Sequence, residues 1–237
     1  MLTFDEEAHI YYWNEEPVVN VTTILESTGL SNFSFIPNED LKMACDYGHQ
    51  THKVTIYEDL NIANIEDITA LSDAIDEKYK NFNPKKNILR NFETYRQFKA
   101  DHEYKPIFIE EKFYSKKYRF AGTLDRVCEI NGKKYLLDYK TGVLSWTAGV
   151  QTAGYDILLE ENCPKFAKLP RAILHFKNEG GYELVTEKTK GQAVFNQKIF
   201  SDRQIFLSAL TMYHAGLHEA FKKKLSYHYM ESLNVQM

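Results

Sequence analysis

The chain has 237 residues, 43% hydrophobic and 26% charged, an ordinary globular composition that excludes a disordered, fibrous or membrane-like polymer. Its formal net charge of −4 excludes a global positive field that would draw in a polyanion, so any nucleic-acid contact has to come from a local basic or aromatic strip. The three cysteines, Cys45, Cys128 and Cys163, lie far apart without a Cys-x-x-Cys pair, which argues against a zinc or disulfide framework and for a reducing compartment.

In chain order, residues 9–19 read as a β-hairpin turning at Asn14-Glu15-Glu16, and Val21–Ser27 as a short helix capped by Thr22 or Thr23 and stopped by Gly29. Residues 33–37 read as a loop. A helix from Pro37 or Asn38 to about Tyr57 follows, then one over residues 65–79 with Ile68, Leu71 and Ile75 on one face, and one opened by Pro84 carrying Ile88, Phe92, Tyr95 and Phe98. The period changes at Pro106. Residues 107–114, 118–130 and 133–139 then read as a three-stranded meander, with Asn131-Gly132 as a tight turn. A helix over 146–161, strands over 169–176 and 182–186, and a long or broken helix over 192–229 complete the pattern. No apolar run approaches the ~20 residues of a membrane span, and the acidic start MLTFDEE has no signal-peptide pattern. The expectation is a soluble intracellular protein with no membrane partner.

Chemistry concentrates on the meander. Asp138 and Lys140 are two apart in a strand and leave the same face. Asp125 lies on the preceding strand. Two carboxylates beside a lysine suit a hard cation such as Mg2+ or Mn2+, and the lysine can orient or deprotonate water and stabilise charge on a phosphate. Taken singly, each of these residues is as well read as a solvated surface group. Their position at the end of an apolar strand, Tyr135-Leu136-Leu137 running into Thr141-Gly142, favours function.

The segments Gly122-Thr123-Leu124-Asp125, Leu137-Asp138-Tyr139-Lys140-Thr141-Gly142 and Gln151-x-x-x-Tyr155 resemble the PD-(D/E)XK nuclease superfamily. They are most similar to its RecB-type branch, which includes the nucleases of CRISPR adaptation and the mitochondrial single-stranded DNA exonuclease. The resemblance covers residues 48–155 by motif. It implies a restriction-endonuclease-like α/β fold: a central mixed sheet of about five strands flanked by helices, with a helical N-terminal segment. Residues 1–237 would form one nuclease domain, with 1–105 mainly helical, 106–190 the catalytic sheet and 191–237 a helical end.

It further implies that Asp125, Asp138 and Lys140 are catalytic. Asp125, Asp138, the carbonyl of Tyr139, an acid on the strand before Asp125, and a histidine on an early helix would hold Mg2+ or Mn2+. Gly48-x-x-x-His52 matches the histidine element, with Gly48 one turn before His52 leaving room; His49 points elsewhere. For the acid, Glu110 and Glu111 compete: alternation puts Glu111 on the apolar face with Ile109 and Phe113, whereas the family spacing selects Glu110. Thr141, Gln151 and Tyr155 would contact DNA, the last two sharing a helix face at i and i+4. The four cysteines of an iron-sulfur cluster are lacking, as is a phosphate-binding Gly-x-x-x-x-Gly-Lys loop. The implied activity is a DNA exonuclease acting on single-stranded or free ends in recombination, repair or replication, with a recombination or replication protein as a possible partner. A nicking or structure-specific endonuclease and an inactive DNA-binding module are the alternatives. Lys116, Lys117, Arg119, Lys133, Lys134 and Lys222 to Lys224 are candidates for the basic strip.

Overall fold

The computed structural model describes residues 1–31, 36–82, 87–189, 194–195 and 201–217. The expected hairpin is joined by a strand that the sequence reading missed: β1 (Leu2–Asp5), β2 (Ile10–Trp13) and β3 (Glu16–Val18) form a three-stranded antiparallel sheet. Helix α1 (Val21–Ser27) follows, and its N-cap is Asn20, not Thr22 or Thr23; the Asn20 side chain accepts from Thr23 N at 2.8 Å. An extended Asn at that position places its carboxamide oxygen at an orphan N–H of the first turn. Helices α2 (Asn38–Asp59), α3 (Ile65–Lys78) and α4 (Ile88–Asp101) make the helical layer. Helix α4 begins later than Pro84 implied, because Asn87 is extended and caps Arg90 N. Residues 33–35 of the expected loop, Pro84 itself and Lys222 to Lys224 lie outside the described residues.

The central sheet contains β4 (Tyr104–Ser115), β5 (Phe120–Ile130), β6 (Lys133–Lys140), β7 (Arg171–Phe176) and β8 (Tyr182–Thr186) in sequential order. Three of its pairings are antiparallel and β6–β7 is parallel, so the sheet is mixed, as expected. Asn131 and Gly132 both have positive φ, 50° and 76°, the conformation a two-residue hairpin turn demands. The parallel step requires a crossover, which α5 (Thr147–Asn162) supplies. Helix α5 has almost no polar face: residues 148–150, 152–155 and 157–159 are all buried, because it is sandwiched between the sheet and α6 (Asp202–His214). Of the helix expected over residues 192–229, α6 is the helical part among the described residues.

Each sheet face has its own core. Leu124, Val127 and Leu136 pack with α1, α5 and α6. Cys128, Leu137 and Tyr139 pack with Tyr95 and Phe98 of α4. Leu136 and Leu137 thus face opposite layers, and alternation carries Asp138 and Lys140 to the side of Leu136. No described helix is long and apolar enough to cross a membrane.

Candidate active site

Four elements deliver the expected residues to one place. Helix α2 brings His52, whose Nδ1 lies 3.5 Å from Asp125 Oδ1 on β5 and 3.6 Å from Glu110 Oε1 on β4. Among the described residues, His52, Glu110 and Asp125 form a group whose candidate ligand atoms all lie within 4.8 Å of one another. Strand β6 adds Asp138 and Lys140, with Nζ 2.6 Å from Asp138 Oδ2. Asp138 is not in the three-residue group, but its carboxylate and that of Asp125 repel one another electrostatically, and Tyr139 N donates to Asp125 Oδ2 at 2.7 Å. The Tyr139 ring turns the other way, into the second core, with its hydroxyl donating to Tyr95 at 2.9 Å.

Backbone geometry separates the placement of Glu110 from that of Glu111. Glu110 has φ of 50°, and the β4–β5 register passes from the Ile109–Arg126 pair to the Glu111–Leu124 pair across it. This left-handed residue breaks the alternation on which the case for Glu111 rested. Glu110 turns to His52, and Glu111 is exposed.

Gly48 faces Thr141. A Cβ on Gly48 would stand 3.5 Å from Thr141 Oγ1, an ordinary contact. Gly122 is tighter than Gly48, since its Cβ would come within 3.0 to 3.2 Å of Leu158, Tyr155 and Val21. Tyr155 is thereby wedged onto the sheet, 7% exposed, and its hydroxyl accepts from Gln151 Nε2 at 2.9 Å. His49 is exposed on α2.

A family model for the PD-(D/E)XK nuclease superfamily matches residues 26–224. The chain belongs to that superfamily. It therefore belongs with hydrolases that act on nucleic acid, and its mixed α/β sheet with flanking helices is the superfamily's restriction-endonuclease-like fold. A "putative exonuclease" of Eubacterium rectale is similar in structure, with 15% identity and a TM-score of 0.40, over 82% of this chain and 77% of that one. No curated protein sequence matches the chain.

The electrostatics of the candidate site are those of converging, partly buried acids. Burial pushes the Asp138 carboxyl up to about 6 against the pull of Lys140. Burial likewise raises Asp125, partly offset by His52. For His52 burial acts downward, but Asp125 and Glu110 outweigh it and lift the imidazole to about 9. Burial also acts downward on Lys140, and Asp138 and Asp125 reverse it, so the ammonium form is favoured. One imidazole and several hard carboxylates fit a hard divalent cation. The described group contains no cysteine.

Sequence reading missed the groups behind the site. Arg126 is entirely buried and bonds Asp59 and Glu110 at 2.8 and 3.2 Å. Tyr11 of the N-terminal sheet is 3% exposed, with its hydroxyl 2.6 Å from Thr123 Oγ1, two residues before Asp125. The charge of Arg126 beside Asp125 was visible but reads equally well as a surface pair; Tyr11 gave no signal. Of the candidate basic strip, Lys116 lies over the ring of Trp13, Lys117 over Tyr118, Lys133 over Tyr135 and Lys134 over Phe166.

Proposed function

We propose that the chain is a single-domain DNA exonuclease that hydrolyses phosphodiester bonds from DNA ends with Mg2+ or Mn2+. The observation that carries this reading is the convergence of His52, Glu110 and Asp125 beside the Asp138–Lys140 pair in a chain of the nuclease superfamily. His52, Glu110, Asp125 and Asp138 would hold the ion, with the Tyr139 carbonyl as a further donor. Bound there, the cation supplies Lewis-acid polarisation of a phosphate oxygen and a water of lowered pKa. The Lys140 ammonium orients the attacking water and meets the negative charge that grows on the phosphoryl group. In-line displacement of the 3′-oxygen leaves a 5′-phosphate. Thr141, Gln151 and Tyr155 border the substrate backbone.

What favours an end over an internal bond is enclosure. Asp125 is met by α2 through His52, and the N-terminal sheet closes on the same strand through Tyr11 and Thr123. With elements meeting β5 from α2 and from the N-terminal sheet, a single strand entering from its end would be admitted more readily than a continuous duplex. The reading extends to intracellular work in recombination, repair or replication alongside a partner protein. The test is incubation with Mg2+ of end-labelled linear single strand, linear duplex and closed circular DNA. Progressive release of short products from the linear DNA, with an intact circle, is expected. Cleavage of the circle would overturn the exonuclease reading in favour of an endonuclease, and no metal-dependent cleavage of any DNA would overturn the enzyme reading in favour of an inactive module.

A further inference from the structure

Behind the carboxylates lies a cation that contacts no solvent. The Arg126 side chain is 0% exposed, and so is that of Asp59, its partner at 2.8 Å. Such a pair is weak ground for stability, because desolvation of both charges offsets most of their attraction. The hydrogen bonds of the guanidinium show a different use. Nη1 donates to Glu110 Oε1 at 3.2 Å and to the main-chain oxygen of Asp125 at 2.6 Å. Nη2 donates to Thr55 Oγ1 at 3.3 Å, and the Thr55 hydroxyl donates to the main-chain oxygen of His52 at 2.7 Å. One planar group is therefore joined to all three members of the His52–Glu110–Asp125 cluster, on three different elements. Nε meanwhile is held by Asp59, which also accepts from the Tyr95 hydroxyl at 2.7 Å and lies 3.4 Å from the Lys99 ammonium. The orientation of the guanidinium is thereby fixed from behind.

We propose that Arg126, anchored by Asp59, is a positioning residue for the metal ligands: it holds Glu110 in its left-handed conformation and sets the spacing of His52, Glu110 and Asp125. Glu110 needs such a hold, since φ of 50° is unfavourable by roughly 1–2 kcal/mol for a residue with a Cβ. Lysine cannot replace arginine here, because one ammonium cannot reach Glu110, the Asp125 carbonyl and Thr55 together.

The inference rests on the metal-site reading, and the experiment separates the two. Mn2+ affinity is measured calorimetrically for the wild type, R126K, T55V and R171K. Arg171 makes a comparable internal pair with Asp202 at 2.8 Å but contacts none of the cluster residues, so R171K reports the effect of destabilisation alone. R126K is expected to bind Mn2+ about ten- to a hundredfold more weakly, as for loss of a group that orients metal ligands. R171K is expected to melt lower while keeping wild-type affinity. Wild-type affinity in a folded R126K protein, or an equal loss in R171K, would overturn the positioning role. Should R126K lose its cooperative melting transition, T55V carries the test: a several-fold loss supports the proposal, and wild-type affinity overturns it. A wild-type protein that binds no Mn2+ would overturn the metal-site reading itself.

Discussion

Replacing Asp138 by Asn should stabilise the metal-free protein, although Asp138 is buried and faces a lysine. The reason lies in the balance at this carboxylate. Burial raises it from 3.8 to about 6 despite Lys140, a rise of roughly two pH units. Ionising it in the folded state above pH 6 therefore costs about 3 kcal/mol relative to the unfolded chain. The sign follows from the raised value: the folded protein holds this proton more tightly, so its contribution is fully present below pH 3.8 and is lost as pH rises through about 6. Asparagine avoids that cost. The attraction of Lys140 is already contained in that value, and burying an amide in place of the acid takes back about 1 kcal/mol. A net gain of about 1–2 kcal/mol remains at pH 7.5, which raises the melting temperature by ~2–8 °C for a chain of this size. Calorimetric melting in EDTA from pH 4 to 8 checks it. The gain should appear above pH 6 and vanish near pH 4, and saturating Mn2+ should reverse the order by stabilising the wild type more. A variant that melts lower than wild type at pH 7.5 in EDTA would refute the reasoning, since Asp138 would then be a structural ion-pair residue.

Lys140→Ala should lower turnover by roughly 10²–10³ while DNA affinity in Ca2+ changes only a few-fold, because the ammonium acts on charge that develops in the transition state; filter binding and single-turnover rates separate the two, and parallel losses would contradict it. The apparent Mn2+ affinity should rise with pH up to about 9, because His52 is lifted to that value and must shed its proton to ligate; calorimetry in buffers of different ionisation enthalpy should show proton release, and a flat profile between pH 7 and 9 would exclude His52 as a ligand. The same raised imidazole stabilises the metal-free fold below pH 6.5 and ceases to do so as pH rises through about 9. Gly122→Ala should cost ~1–3 kcal/mol, because its Cβ meets Leu158, Tyr155 and Val21 at 3.0 to 3.2 Å in a packed core; chemical denaturation measures it, and an unchanged midpoint would mean that Tyr155 yields freely.

Local chemistry determined much of this molecule before any packing is considered. Period-two alternation around Asn131-Gly132 sets the β5–β6 hairpin, and an i, i+2 spacing puts Asp138 and Lys140 on one face, where they are found 2.6 Å apart. The motif residues His52, Asp125 and Asp138 were legible because spacing along a helix or strand is a local property. What spans the chain was not. Strand β1 has only four residues, and its place depends on pairing with β2. Glu110 could be chosen over Glu111 by motif spacing but not by alternation, because its positive φ is imposed by neighbours on α2 and β5. Arg126 and Asp59 are 67 residues apart, and a charged side chain in a sequence reads as solvated until the fold removes its water. Tyr11 lies 112 residues from Thr123 and reaches the site only because the N-terminal sheet docks beside β5. The sequence by itself therefore determined most of the elements and the candidate reactive groups. The tertiary structure decided which backbone irregularity, which buried cation and which distant tyrosine hold those groups in place, since burial and long-range contact exist only once the chain has closed on itself.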